Sequence, residues 1–304
     1  MLTAAMLLSA TGLAAANNDF LPPWNPPPQN GKSFTIPEID IVADLHGDIT
    51  DPQLVVFFAG NQFMVVHDLV QAFKQAHPEY QRVFVETLPP GILVQQIEQG
   101  ALVMGNMRIA LQPDVYTAGT KRIIELQDQH HWFEQTEDYA RNRLAIMVYK
   151  GNPKRVRGLK DLGRADVRVS MPNPKWEGIA RAIEASFRKA GGDALDHQIM
   201  SVKVKAGSTY LTQIHHRQTP LRILRRQSDA GPVWYTEAYF QQHILHNPAE
   251  LVEIPADQNL SVTYAAGSMK AAPHPEAAKA FMKFLLSPEG QSVYRRYGFE
   301  PPSK

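Results

Sequence analysis

The feature that most constrains this chain is its central stretch from Asn142 to Gly192, NRLAIMVYKGNPKRVRGLKDLGRADVRVSMPNPKWEGIARAIEASFRKAGG. An apolar run, Leu144 to Val148, reads as a strand and ends in the turn residues Gly151, Asn152 and Pro153. A short amphipathic segment, Leu159 to Leu162, leads to a second strand, Val167 to Ser170, and a loop from Met171 to Gly178. A helix then carries Ile179, Ile183 and Phe187 on one face and stops at Gly191-Gly192. A strand, a tight loop and a helix N-terminus form the unit that open α/β sheets use to hold an anion.

Three further segments repeat that grammar in a fixed order. Leu54-Val55-Val56-Phe57-Phe58-Ala59-Gly60-Asn61 reads as a buried strand entering a loop, and Gly91 to Gly100 as the helix after a second loop. Gly231-Pro232-Val233-Trp234-Tyr235-Thr236-Glu237-Ala238 is the third. Together with the central stretch they resemble the molybdate-binding type of ABC-transporter periplasmic protein, with its tungstate, sulfate and broader anion-binding relatives. The resemblance runs from about Leu54 to Gly298. It implies an α/β chain with the two-lobed type II periplasmic-binding-protein fold, a ligand cleft between the lobes, closure by hinge motion, and delivery of a small anion to an ABC-type membrane permease.

The bulk numbers agree with such a chain. At 304 residues there is room for two core-forming lobes, and a hydrophobic share of 44% suits a soluble globular protein. A net charge of +1 gives no reason to expect nucleic acid or a membrane surface as partner. The absence of cysteine excludes disulfides and thiolate chemistry. Residues 1–16, apolar and ending in Ala14-Ala15-Ala16, read as a signal peptide whose positive n-region is missing, which points to a periplasmic or secreted protein. Residues 17–53 form a Pro-rich arm; its Ser33 to Gly47 part alternates like a strand, is expected against the outside of a lobe, and carries no obvious chemistry. Lobe 1 is expected over 54–143 and 256–304, lobe 2 over 144–255, with Leu260 to Ala266 as a crossing strand. Near the C-terminus a helix is expected over Pro275 to Leu286, and a last one from Ser287-Pro288-Glu289-Gly290 to about Gly298. The chain reads as a monomer.

An anion in such a cleft is held by backbone N–H groups at helix N-termini with hydroxyls or amides. By position the first loop offers Gly60 and Asn61, with Asn61 also suited to cap the following helix. The second loop offers Thr87 and Gly91, separated by Pro89-Pro90, which supply neither N–H nor hydroxyl. Lobe 2 offers Glu177 and Gly178 before a helix, and Trp234 or Tyr235, one of which should face the cleft. The polar run Thr212 to Pro220, read as preceding a strand or loop, contributes His215, Arg217 and Thr219. Arg217 is the candidate clamp for a carboxylate or phosphate, with a side chain outside the core. The plain alternatives for these residues are a helix cap, a rigid turn, core aromatics and a solvated polar loop.

Neither His130-His131 nor His215-His216 fits a zinc pattern, and no nucleophile elbow, Walker A or dinucleotide-binding motif occurs. The reading is therefore a binder without cofactor or metal rather than an enzyme. Losing loop-2 hydroxyls moves the expected ligand from molybdate, tungstate or sulfate toward an organic carboxylate or phosphorylated metabolite. A secreted adhesin reusing the fold is the alternative from another class, motivated by the Pro-rich arm.

Overall fold

The computed structural model describes residues 44–104, 107–175, 177–213 and 217–302. The expected signal peptide, the arm as far as residue 43, and His215 lie outside the described residues.

The chain opens with strands β1 (Leu45–Gly47) and β2 (Leu54–Ala59), a 3-10 turn at Gly60–Gln62, and helix α1 (Val66–Ala76). Then come β3 (Val83–Leu88), α2 (Pro90–Gln99), the hairpin β4 (Leu102–Met104) and β5 (Met107–Ile109), β6 (Val115–Gly119) and α3 (Thr120–His130). The long strand β7 (Phe133–Tyr149) is followed by β8 (Val169–Met171), α4 (Ile179–His197), α5 (Lys203–Lys205) and β9 (Thr209–Leu211). The rest is α6 (Gln218–Leu224), β10 (Ala230–Trp234), α7 (Tyr235–Tyr239), β11 (Ala249–Glu253), β12 (Ser261–Met269), α8 (Pro275–Leu286) and α9 (Pro288–Arg296).

Hydrogen bonds run across the strands in the order β1-β3-β2-β6-β12-β7-β10-β8-β9, with β11 also on β7. Strand β7 is what makes the architecture two-lobed. Its first part pairs antiparallel with β12, from Phe133↔Met269 to Arg143↔Ser261. Its second part pairs with β10, from Leu144↔Trp234 to Val148↔Ala230, and on its other edge with β11. In one lobe β2 lies parallel between β3 and β6; in the other β8 lies parallel between β10 and β9. Parallel strands with helical crossovers leave a crevice at their carboxyl ends.

The expected strand at Leu144 to Val148 is thus the second part of a 17-residue strand. The first part, FEQTEDYARN, has no apolar run; it is a strand because β12 offers it a backbone ladder along its length, with register shifts at Tyr264/Ala265 and Ser268/Met269. Opposite it, Gly267 brings a backbone against Phe133, where a Cβ would lie 2.4 Å from the ring. The helical face at Ile179, Ile183 and Phe187 is buried, and the backbone leaves the helix at Gly191 and Gly192, the latter at φ 70°. Two expectations are corrected. Part of the arm enters the sheet: β1 pairs antiparallel with β3 and buries Leu45. The segment after Arg217 is a helix, α6, which tolerates Pro220 in its first turn, where an N–H has no partner to lose.

Three buried clusters hold these layers. One joins the second part of β7 to β8 and α4; another joins β3 to α2 and α3. The third crosses between lobes, packing α1, α8 and α9 against Ile223, Leu224 and Phe240. The edge-on contact of Phe63 and Phe240, centroids 5.7 Å apart, belongs to it. The C-terminal helices match their sequence signals: α8 buries Ala278, Phe281, Met282 and Leu285, and Ser287 caps α9 by accepting the Gly290 N–H at 3.1 Å. No described helix is long and apolar enough to cross a membrane.

Fully buried Asp114 ties β6 to its neighbours. Its carboxylate accepts the Val55 N–H at 2.7 Å, the His274 N–H at 2.6 Å and a His274 Nδ1 contact at 2.9 Å. Asp114→Ala leaves those donors without acceptors, so urea unfolding should show a loss on the order of 3 kcal/mol.

Candidate functional site

A cavity of about 880 Å³ opens between the lobes. One wall is made by Ala59 and Asn61 after β2, by the first turns of α2, and by Gly119 and Arg122 at the start of α3. The opposite wall is made by Lys175, Gly178 and the first turns of α4, with Trp234 at the end of β10. Leu260 to Val262 and Tyr264 close it along the crossing strand. Apart from the crossing strand, the wall segments lie where a strand end leads toward a helix, and α2, α3, α4 and α7 begin at this space. The positive ends of their dipoles therefore border it.

Two glycines present bare backbone. A Cβ added at Gly91 or Gly178 would meet nothing within 4 Å, so the chain there borders open space. Pro89 and Pro90 contribute no donor, which makes Gly91 the first N–H of α2. Gly60 plays a different part. Its Cβ would lie 3.2 Å from the Thr87 carbonyl oxygen, so the missing side chain lets the first loop pack on the second.

The charge on the walls is one-sided. Arg122 and Lys175 border the cavity, and no Asp or Glu is among the described residues that line it. Lys121 and Arg122 occupy the first turn of α3, which carries no acid. Cations at that end oppose the helix dipole, an arrangement that an anion in front of them relieves. Glu125 sits beside Arg122 at 3.4 Å in a partly exposed pair and neutralises it incompletely.

Of the residues singled out from sequence, Asn61, Gly91, Gly178 and Trp234 come together on this cavity. Asn61 is not the cap of α1, which begins five residues further on without a side-chain cap; its amide donates instead to the Tyr264 hydroxyl. Tyr264 is buried, and burial raises its phenol well above the ordinary value, so it stays neutral. Of the aromatic pair, Trp234 borders the cavity, while Tyr235 lies under the Arg143 guanidinium, 3.7 Å from the ring centroid.

The others lie behind the walls. Glu177 is buried, and its Oε1 accepts from the Asn173 N–H at 3.2 Å and from the Thr212 hydroxyl. The Thr219 hydroxyl is 2.9 Å from that of Ser170, and the Thr87 hydroxyl donates to Asp44 at 2.9 Å. Arg217 departs most from its reading as a side chain outside the core. It is 2% exposed, donates from Nη2 to Asp44 Oδ1 at 2.8 Å, and stacks 4.2 Å from the centroid of Phe63. The arm segment read as free of chemistry supplies this carboxylate. Asp44 stands 173 residues from Arg217, a separation no local pattern reports.

Sequence reasoning missed Arg122, Lys175 and Tyr264. A usable signal existed for Arg122: two cations, Lys121 and Arg122, separated by one residue from the glycine that ends a strand. Among the described residues no group of three His, Cys, Asp or Glu side chains could hold a metal ion.

Two titratable groups near Asp44 are shifted in opposite directions. Burial, reinforced by Arg217, lowers His46 to about 3. Burial raises Glu86, which accepts from the Gln96 amide at 3.1 Å, to about 8.

Comparison with known proteins places the chain. The profile of a family described as bacterial extracellular solute-binding protein matches residues 54–300. The thiosulfate-binding protein of Escherichia coli (strain K12) is 27% identical over 168 residues, covering 51% of this chain and 48% of that one. The sulfate-binding protein of the same organism is 27% identical over 169 residues, covering 52% and 50%. The chain thus spans about half the length of the curated relatives it matches. Among solved structures, the periplasmic molybdate-binding protein of Azotobacter vinelandii superposes with TM-score 0.65 at 16% identity, covering 82% of this chain and 100% of that one. An ABC-transporter substrate-binding protein from Agrobacterium tumefaciens gives TM-score 0.66 at 11% identity, covering 88% and 85%. At such low identity the likeness concerns the fold.

Glu86 sets a pH dependence. Its folded value lies above that of an unfolded glutamate, so between about 4.5 and about 8 the folded state holds a proton that the unfolded chain has released. Stability from this group is complete below that window and is lost as pH rises through it. Urea unfolding of Glu86→Gln and wild type at pH 5 and pH 8 should show the variant gaining relative stability at the higher pH.

Proposed function

Since the chain belongs to the bacterial extracellular solute-binding protein family, we propose that, outside the cytoplasm, it captures a small organic anion in the interlobe cavity and delivers it to an ABC-type membrane permease. The observation that carries this reading is the wall itself: Arg122, Lys175 and four helix N-termini, with no acidic side chain among its described residues. An apolar surface from Ile92, Ile179, Trp234, Leu260 and Val262 surrounds those charges. A volume of about 880 Å³ suits a molecule with a carbon skeleton, whereas a bare tetrahedral oxyanion needs a small cage of converging donors. Loop 2 offers prolines where such a cage would need hydroxyls.

The walls also favour a binder over a catalyst. Among the described wall residues no histidine or carboxylate stands beside Ser261 to activate it. The division into lobes of 54–143 with 256–304, and 144–255, is part of the same proposal. It is supported by the change of partner along β7 between Arg143 and Leu144. The protein acts as a periplasmic or secreted monomer in this reading.

Calorimetry and thermal shift on ligand-stripped protein, with small dicarboxylates, phosphorylated three-carbon acids, sulfate, thiosulfate and molybdate, test it. An organic anion at a hundredfold excess over its Kd should add about 2.7 kcal/mol to stability. A response confined to the inorganic oxyanions would assign the cavity to those instead, and no response to any anion would remove the transport reading. Lys175→Ala and Arg122→Ala should each weaken the anion found by about 1.5–3 kcal/mol, because each removes a charged donor.

A further inference from the structure

We propose that Asp44 is an internal carboxylate ligand: it fills the anion position between Thr87 of one lobe and Arg217 of the other, and so latches the lobes together. The geometry is that of a bound anion. Asp44 Oδ1 accepts from the Thr87 hydroxyl at 2.9 Å and from Arg217 Nη2 at 2.8 Å, and its side chain is 6% exposed. A hydroxyl and a guanidinium from opposite lobes are what a captured carboxylate would be given. Here the carboxylate belongs to the chain.

Both sides of the contact are anchored to their own lobe. The Thr87 N–H donates to the Asp44 carbonyl at 2.9 Å, and β1 continues from there as an edge strand on β3. Arg217 opens α6, which is fixed to β8 through the Thr219–Ser170 hydroxyl pair and buries Ile223 and Leu224. The guanidinium lies on Phe63 of the first lobe, so opening the lobes would separate it from the ring and the carboxylate together. Of the neighbouring titratable groups, His46 is held neutral and Glu86 keeps its proton at neutral pH, so neither supplies the charge that answers Arg217.

The latch is separate from the solute cavity, since neither Thr87 nor Arg217 lines it. It lies close behind: Phe63 is two residues from Asn61, and Thr87 two residues from Pro89. A solute in the cavity therefore acts beside Asp44 and does not replace it. A buried ion pair of this kind specifies an arrangement more than it adds net stability, while removal of one member takes from the other the opposite charge it was buried beside.

Chemical rescue of the full-length chain tests the proposal with sodium formate as the probe. Asp44→Ala should melt on the order of 10 °C below wild type. Formate at tens of millimolar should recover several degrees in Asp44→Ala beyond what equal sodium chloride does, and should not do so in wild type or in Asp44→Ala/Arg217→Leu. Unchanged melting of Asp44→Ala, or an equal formate effect in all three proteins, overturns the proposal. If Asp44→Ala does not fold, the doubly neutral variant, which removes both charges of the pair, carries the test through small-angle scattering. It should give a larger radius of gyration than wild type without solute, and a value equal to wild type overturns the latch.

Discussion

The whole structure depends on one strand serving two sheets. Phe133–Tyr149 gives its first part to β12 and its second part to β10 and β11. Backbone hydrogen bonding is obligatory for a buried chain, so wherever β7 goes its partners must follow. That joins the lobes along one backbone and places the strand ends of both beside the space between them. The cleft is a consequence of a shared ladder before it is a property of any side chain.

Into that space the fold aims helix starts, and the sequence adds cations where a helix would otherwise prefer acids. Lys121 and Arg122 at α3 are locally unfavourable choices. Acidic side chains are present nearby but are committed elsewhere: Glu177 to Asn173 and Thr212, and Glu237 to the Trp234 N–H at 3.3 Å. Each braces a loop or strand that carries a wall residue. The carboxylates hold the frame, and the walls are left to the positive ends.

Much of this fold was legible in the sequence, because its signals are local. The face of α4, its break at Gly191-Gly192, the bounds of α8 and the serine cap of α9 follow from periodicity and cap chemistry over fewer than twenty residues. Strand–loop–helix order put Asn61, Gly91, Gly178 and Trp234 on the cavity, since each lies at or beyond a strand end. Side-chain direction was less accessible. Thr87 and Thr219 are polar residues in cleft-forming segments, yet both hydroxyls are used internally. Whether a hydroxyl meets solute or protein depends on what arrives from the other side.

Sequence by itself therefore determined the alternation of strands and helices, the family likeness and the loops that meet at the cleft, all of which are written in runs of neighbouring residues. Tertiary structure alone decided that FEQTEDYARN is a strand, that Arg122 and Lys175 supply the cationic wall, and that Arg217 is buried against Asp44. These three depend on partners far away in the chain. A backbone ladder, a wall and a buried ion pair exist only when two distant segments meet, because each is built from groups that no single stretch of the chain contains, and the cost of taking those groups out of water is offset only once the partners are in place.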